Sequence, residues 1–212
     1  GLQETMKEKF SPKCLRRIDP FNLFNWDWIP SVGKSGGILC GIRQDTLEVV
    51  ACDKGKYILQ LVVGDKKNKT NWGLLIVYGS AHEEHKEEFL LELATMCHNM
   101  QVPYIVGGDF NIIRHGGDKN KKMYNSRSSD LFTFIIIAVG LREIQTSGGK
   151  YLDNNQAHPT LEKLDRVLMS KSWEDLFPMV SVRKLVREIS YQNPLLLSSV
   201  QEGREAPKPR EF

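Results

Sequence analysis

A layered α+β sandwich, two packed sheets with helices outside, is the fold class the sequence predicts. Three observations carry that expectation. From Phe24 to Tyr78 the chain gives five closely spaced β signals, separated by clusters of Gly, Asp, Asn and Lys. Beyond Tyr78, strand and helix patterns alternate. Finally, Phe89, Leu90, Leu93, Met96, Cys97 and Met100 recur at helical spacing, which marks a helix that lays one apolar face on a sheet.

In chain order, Gly1 to Thr5 reads as the end of a strand followed at once by a basic, mixed segment, so a first strand is expected to be missing ahead of it. The five strands are expected at Asn25 to Ile29, Gly37 to Arg43, Thr46 to Cys52, Tyr57 to Val63 and Thr70 to Tyr78, as one antiparallel meander. Ser80 with Glu83 three residues later predicts a capping box, and Glu84 adds negative charge where the helix dipole favours it. After a strand at Val102 to Val106 and a long polar loop, Ser129 to Val139 reads as a second helix. Leu131, Phe134, Ile135 and Ala138 fill one of its faces, yet Phe132, Ile136, Ile137 and Val139 crowd the other. A helix apolar all round is read as a core element, with a partner-binding surface as the alternative. Lys163 to Met169 and Met179 to Leu185 read as strands around a short helix at Ser170 to Phe177.

The chain has 212 residues, 41% hydrophobic and 26% charged. That composition suits one domain, expected over residues 1–200, and argues against disorder through most of its length. Residues 201–212, with Pro207 and Pro209 among charges, read as a flexible tail or linker. The net charge of +3 permits polyanion binding without demanding it. Cys14, Cys40, Cys52 and Cys97 show no C-x-x-C spacing and lie in or beside apolar patterns, so buried free thiols in a reducing compartment are expected. Residues 1–30 show no basic, apolar and small-residue leader pattern, so secretion is not expected, and the longest apolar run, Leu131 to Leu141, is shorter than the about 20 residues a membrane helix needs. The expected location is intracellular, nuclear or cytoplasmic.

The most informative stretch is Val102 to Asn111, where an apolar run opens into Gly107-Gly108-Asp109-Phe110-Asn111. A carboxylate and a carboxamide two residues apart, delivered by a buried strand beside two glycines, is the arrangement needed to hold a water and a metal-bound phosphate together. It points to phosphodiester chemistry. Four further signals accompany it: Gln3-Glu4 at a strand end, Tyr78 closing a strand, Asp165 in Leu164-Asp165-Arg166, and Ser190-Tyr191-Gln192-Asn193-Pro194. Taken singly, Glu4 is an exposed terminal carboxylate, Tyr78 a strand-end aromatic and Asp165 a surface partner of Arg166; jointly they make a site.

In order and local context this set resembles the endonuclease/exonuclease/phosphatase superfamily, in particular the endonuclease domain of plant-type LINE (non-LTR) retrotransposons, over nearly all of the chain from Gly1 to Leu197. The resemblance implies a four-layer αββα fold and cleavage of DNA phosphodiesters with a divalent metal, Mg2+ or Mn2+. It makes Glu4 the metal ligand, a hard oxygen suited to a hard cation. Asp109 would orient and deprotonate the attacking water, and Asn111 would position that water or the phosphate. Tyr78 would hydrogen-bond in the phosphate region, and Asp165 would orient the family's catalytic histidine.

That histidine is missing. Where the family carries Ser-Asp-His-Asn-Pro, this chain has Tyr191 and Gln192 in place of Asp and His. Gln donates a neutral hydrogen bond but cannot become a cation, and Tyr puts a ring where a compact carboxylate belongs. Acid/base groups contribute about 10²- to 10⁴-fold, so losing the pair raises the barrier by roughly 3 to 5 kcal/mol. The family's first-strand Asn would precede Gly1, and Tyr151-Leu152-Asp153 stands where the family places Thr-Trp. The resemblance therefore implies an inactive or severely impaired nuclease, a pseudoenzyme. The alternative is a repurposed module that binds nucleic acid or a protein.

Other chemistry is weaker. Gly33-Lys34-Ser35 has no glycine at the start of a P-loop and is followed by a strand signal rather than a helix. His82 and His85 lack a third zinc ligand. Arg114, His115, Lys119, Lys121, Lys122 and Arg127 make the loop after Asp109 basic, with Arg183, Lys184 and Arg187 across the expected cleft. Such clusters bind phosphate backbones through counterion release, so weak nucleic-acid binding is expected there.

Overall fold

The computed structural model describes residues 1–33, 36–114, 126–147, 164–185 and 194–200. Within them the order is β1 (Leu2–Gln3), α1 (Pro12–Ile18), β2 (Phe24–Ile29), β3 (Ile38–Arg43), β4 (Leu47–Lys54), β5 (Ile58–Asp65), β6 (Asn71–Tyr78), α2 (Lys86–Asn99), β7 (Tyr104–Asp109), α3 (Ser126–Ala138), β8 (Arg142–Glu143), β9 (Thr146–Ser147), β10 (Asp165–Met169), α4 (Lys171–Leu176), β11 (Met179–Lys184) and β12 (Leu195–Val200). This is the predicted α+β class.

A six-stranded sheet, β4-β5-β6-β7-β10-β8, forms the centre, and two three-stranded sheets, β1-β3-β2 and β12-β11-β9, supply the second layer. All pairs are antiparallel except β6 with β7 and β9 with β11. The β6–β7 pair is parallel because α2 carries the chain back across the sheet. Strand alternation then divides the core. Ile58, Leu75, Val77, Val106 and Leu168 face α2 and α3. Leu59, Leu61, Val63 and Ile76 face Ile38, Cys40 and Ile42 of the second layer, and Val167 faces Val182.

Several expectations need correction. The predicted meander is broken at the Gln44 to Thr46 turn, because β3 and β4 belong to different sheets. The capping box does not form. Ser80 Oγ instead accepts from His82 N–H at 3.1 Å and closes a turn, while Glu83 lies in a short 3-10 helix, Glu83–His85, and pairs with Lys86 at 2.8 Å and with Ser128. All four cysteines are free, but Cys52 is exposed, since β4 is the edge strand and turns most of its side chains outward. In α3 the buried apolar residues are Phe132, Ile135 and Ile136, whereas Phe134 and Ile137 are 67% and 69% exposed. The helix is thus a core element with two large apolar residues, and Ala138, left outside. The tail 201–212 lies outside the described residues.

Candidate active site

Three strands meet at one end of the space between the layers. Tyr78 ends β6, Asp109 ends β7 and Asp165 begins β10, and the register pairs Tyr78 with Asp109 and Asp109 with Asp165. The three side chains alternate to the same, inter-layer face. Glu4 arrives from the opposite layer, just past β1, and its Oε1 accepts from the Tyr78 hydroxyl at 2.7 Å. Four of the residues singled out in the sequence, separated by up to 161 positions, are therefore neighbours.

The local sequence explains the placement. Phe110 alternates to the other face and is fully buried among Phe89 and Phe132, at centroid distances of 6.3 and 5.2 Å. That anchor fixes the end of β7. Asn111 then takes a left-handed backbone, φ 49°, which Asn tolerates better than most residues. Its N–H donates to Asp109 Oδ1 at 2.9 Å and its Nδ2 to Gly79 O at 2.9 Å, while Gly79 N–H donates to Asp109 O at 2.8 Å. Asn111 thus holds Asp109 in orientation and ties the β6 and β7 ends together. Gly108, φ 142°, is required because a Cβ there would collide with Gln3 Nε2 and Val77 O. Gln3 Nε2 donates to Val77 O at 2.7 Å, so this close approach is what brings the Glu4 segment over the central sheet.

The site is strongly acidic. Asp109 is buried. Burial first, then the charges of Asp109 and Glu4, push the Asp165 carboxyl up to about 6, against an opposing pull from Lys184. Burial, with Glu4 and Asp109, also raises the Tyr78 hydroxyl, which stays protonated and a donor. Lys184, placed by the sequence at the far edge of the cleft, is thus close enough for its charge to act on Asp165.

A divalent metal, implied by the resemblance, fits this donor set in chemistry: the groups are hard oxygens, and a cation would offset the like charges that, after burial, raise Asp165. Among the described residues no three His, Cys, Asp or Glu side chains stand close enough to form a cage. Magnesium does not need one, since it is held by one or two carboxylates and keeps several waters.

Tyr191, Gln192, His115, Lys119, Lys121, Lys122, Arg187 and the stretch from Tyr151 lie outside the described residues. Arg114 and Arg127 do not. Arg114 pairs with Glu143 at 3.1 Å and is largely buried; Arg127 is exposed and pairs with Glu87 at 2.6 Å. Sequence reasoning missed Arg166. The sequence suggests a surface partner of Asp165, yet the Arg166 side chain is 1% exposed and pairs with Glu143 at 2.9 Å on the helix-facing side of β10. The one signal for this is period-2 alternation, which sends neighbours on a strand to opposite faces.

No described helix is long and apolar enough to cross a membrane. No curated protein sequence matches the chain. Among solved structures, the endonuclease domain of TRAS1, a telomere-specific non-LTR retrotransposon, is similar with a TM-score of 0.64 and 15% identity, over 86% of this chain and 82% of that one. An endonuclease/exonuclease/phosphatase from Bacteroides vulgatus gives 0.63 and 16%, over 94% and 84%. A D. rerio TDP2 complexed with single strand DNA product gives 0.51 and 13%, over 85% and 73%. At these identities the likeness is one of fold. The family model for the endonuclease/exonuclease/phosphatase family matches residues 8–190, a span that stops short of Glu4 on one side and of Tyr191 and Gln192 on the other. With that match over most of its length, the chain belongs to the endonuclease/exonuclease/phosphatase family.

Proposed function

We infer that this is an endonuclease-like domain of the plant non-LTR retrotransposon type, descended from a metal-dependent phosphodiesterase that nicks DNA and severely impaired in this copy. The observation that supports it most is the convergence of Glu4, Tyr78, Asp109 and Asp165 at the mouth between the layers. Of the structures similar in fold, one is a retrotransposon endonuclease domain and one carries a DNA product.

In this reading Glu4 holds the metal, with Asp109 or Asp165 as a second oxygen donor. When bound, the cation neutralises charge on the phosphate and lowers the pKa of a water. Asp109, oriented by the Asn111 N–H, takes the proton from the attacking water. The Asn111 side-chain oxygen positions that water, its Nδ2 being engaged by Gly79 O. The Tyr78 hydroxyl, held protonated, gives its one O–H to Glu4 Oε1 and so orients that carboxylate beside the phosphate region. What the chain lacks is a cation at position 192: Gln192 offers only a neutral donor for charge that develops on the scissile phosphate. The Asp165 carboxyl, with no imidazole to steer, is left among like charges.

The test is nicking of supercoiled plasmid with Mg2+ or Mn2+. The unaltered protein is expected to nick very slowly or not at all, and Tyr191→Asp with Gln192→His to gain about 10²- to 10⁴-fold. Vigorous nicking by the unaltered chain, abolished by Asp109→Ala, would overturn the impairment. A double repair with no gain would remove the assignment of positions 191 and 192. The exposure of Phe134 and Ile137 on α3 favours a second reading, a protein-binding module; a monomer that captures no partner through that helix counts against it.

A further inference from the structure

Outside residues 5–18, nine of the fourteen described cations pair with acids, among them Lys54 with Asp27, Lys56 with Glu88, Arg142 with Glu174 and Lys171 with Asp175, the exceptions being Lys66, Lys67, Lys69, Arg183 and Lys184. The segment that leaves Glu4 is built differently. Lys7, Lys9, Lys13, Arg16 and Arg17 are all exposed, and none forms an ion pair among the described residues. Five cations against the single acid Glu8 make residues 5–18 four net positive, while the whole chain is +3. The remainder of the molecule is therefore one net negative.

The course of that segment is fixed from below. Thr5 and Met6 N–H donate to Gly37 O and Gly36 O, and Lys7 O accepts from Ser31 N–H at 3.0 Å. Phe10 packs edge-on against Trp28 at 5.7 Å. At the far end the buried Asp19 accepts from Leu23 N–H, Phe24 N–H and Trp26 Nε1. The chain thus tracks β2 backwards, past positions 31, 28 and 26, a run of about 16 Å at roughly 3.3 Å per residue. Within α1, Lys13, Arg16 and Arg17 stand at i, i+3 and i+4, the spacing that gathers side chains on one face. Cys14 and Leu15 are half-buried.

We propose that Lys7 to Arg17 form a phosphate track that holds the flank of a DNA duplex whose scissile bond lies at Glu4 and Asp109. Its length equals the axial rise of about five base steps of a duplex at about 3.4 Å each. The track begins at the metal-binding carboxylate, so the flank it holds is continuous with the strand in the site. It rests on the phosphodiesterase reading for the identity of the polyanion and for the place of the scissile bond. A purely structural role for Arg16 and Arg17 exists, since cations in a last turn suit the helix dipole, but it gives no function to Lys7, Lys9 or Lys13.

The experiment is fluorescence anisotropy with a labelled duplex, in EDTA, over a range of salt. Lys13→Gln with Arg16→Gln and Arg17→Gln is expected to weaken binding at least about 10-fold and to reduce the slope of log affinity against log salt by about 0.9 for each phosphate no longer neutralised. Lys7→Gln with Lys9→Gln, which leaves α1 intact, should do the same in proportion and guards against a misfolded helix. Unchanged affinity and slope in both variants, or no duplex binding by the unaltered protein at low salt, would overturn the track. Because no metal is present, an inert active site leaves the outcome unaffected; conversely, plasmid nicking with an unchanged salt slope would remove the track and keep the nuclease reading.

Discussion

Asp165 and Arg166 are adjacent on β10 and live in opposite electrostatic worlds. Asp165 points between the layers, where its company is Asp109 and Glu4, and burial with these like charges pushes its carboxyl up to about 6. Arg166 points under the helices, where Glu143 bridges it to Arg114 in a cluster whose side chains are 1%, 9% and 16% exposed. Both groups are largely removed from water, which is expensive for any charge. Arg166 has a carboxylate at 2.9 Å, whereas Asp165 has only the more distant pull of Lys184 against burial and two like charges. Compensation on the helix side is what a stable core requires; its lack on the inter-layer side is what a site awaiting a cation and a phosphate looks like.

The contrast is sharpest for stability. Glu143→Ala should lose about 3 to 5 kcal/mol, because it removes the carboxylate that Arg114 and Arg166 share below the surface; chemical denaturation measures it, and a loss under about 1 kcal/mol would mean that this carboxylate is not what holds the cluster. Asp165→Asn should act in the opposite direction. The folded protein holds the Asp165 proton more tightly than the ordinary carboxyl value of 3.8 allows, so ionising it opposes folding. Stability contributed by the protonated form is present at about pH 4 and lost as pH rises toward 6. The Asn variant is therefore expected to be more stable than the parent by up to about 3 kcal/mol at pH 8, with the difference vanishing only as pH falls below the unfolded value of 3.8. A variant less stable than the parent at pH 8 would show that Asp165 is compensated after all.

How much of this contrast is legible in the sequence follows from the range of the interactions. The acids are legible because each stands at a strand end in a recognisable local context, and Gly108 marks a backbone crowded on one side. The compensated cluster is not: Arg166 meets Glu143 across 23 positions, and β8, with two residues, is too short for any periodicity to show. The same limit hides β9 and β12, since Leu195-Leu196-Leu197-Ser198-Ser199-Val200 lacks alternation. Ser11-Pro12 is a usable start signal for α1, where Ser11 Oγ accepts from Cys14 N–H at 3.3 Å, but the short basic run after it obscures the helix. The misplaced capping box has a tertiary cause, because Glu83 is drawn to Ser128 on α3 instead of back to Ser80.

If the inter-layer side lacks only a cation, supplying one should narrow the gap between the two regions. Mg2+ at ten times its Kd is expected to stabilise the fold by about 1.4 kcal/mol, a rise in Tm of roughly 3 to 6 °C for a chain of this size, with the effect absent in Glu4→Gln. A full shift in Glu4→Gln would move the metal elsewhere.

The smallest effect isolates the Tyr78–Glu4 hydrogen bond, which with Gln3 Nε2 to Val77 O joins the layers at the site. Tyr78→Phe removes the donor to Glu4 Oε1 and keeps the ring, which is half-buried against the inter-layer core. A neutral donor to an exposed carboxylate contributes about 0.5 to 1 kcal/mol net, so stability should fall by no more than that. Glu4, freed to rotate, should then bind Mg2+ more weakly in the same thermal-shift titration. A weaker metal response with near-parental stability would mark the hydroxyl as an orienting group for Glu4. A loss of several kcal/mol with the metal response intact would instead make it a structural tie between the layers, and the acidic end of the molecule would then be as much a part of the scaffold as the Arg166 cluster.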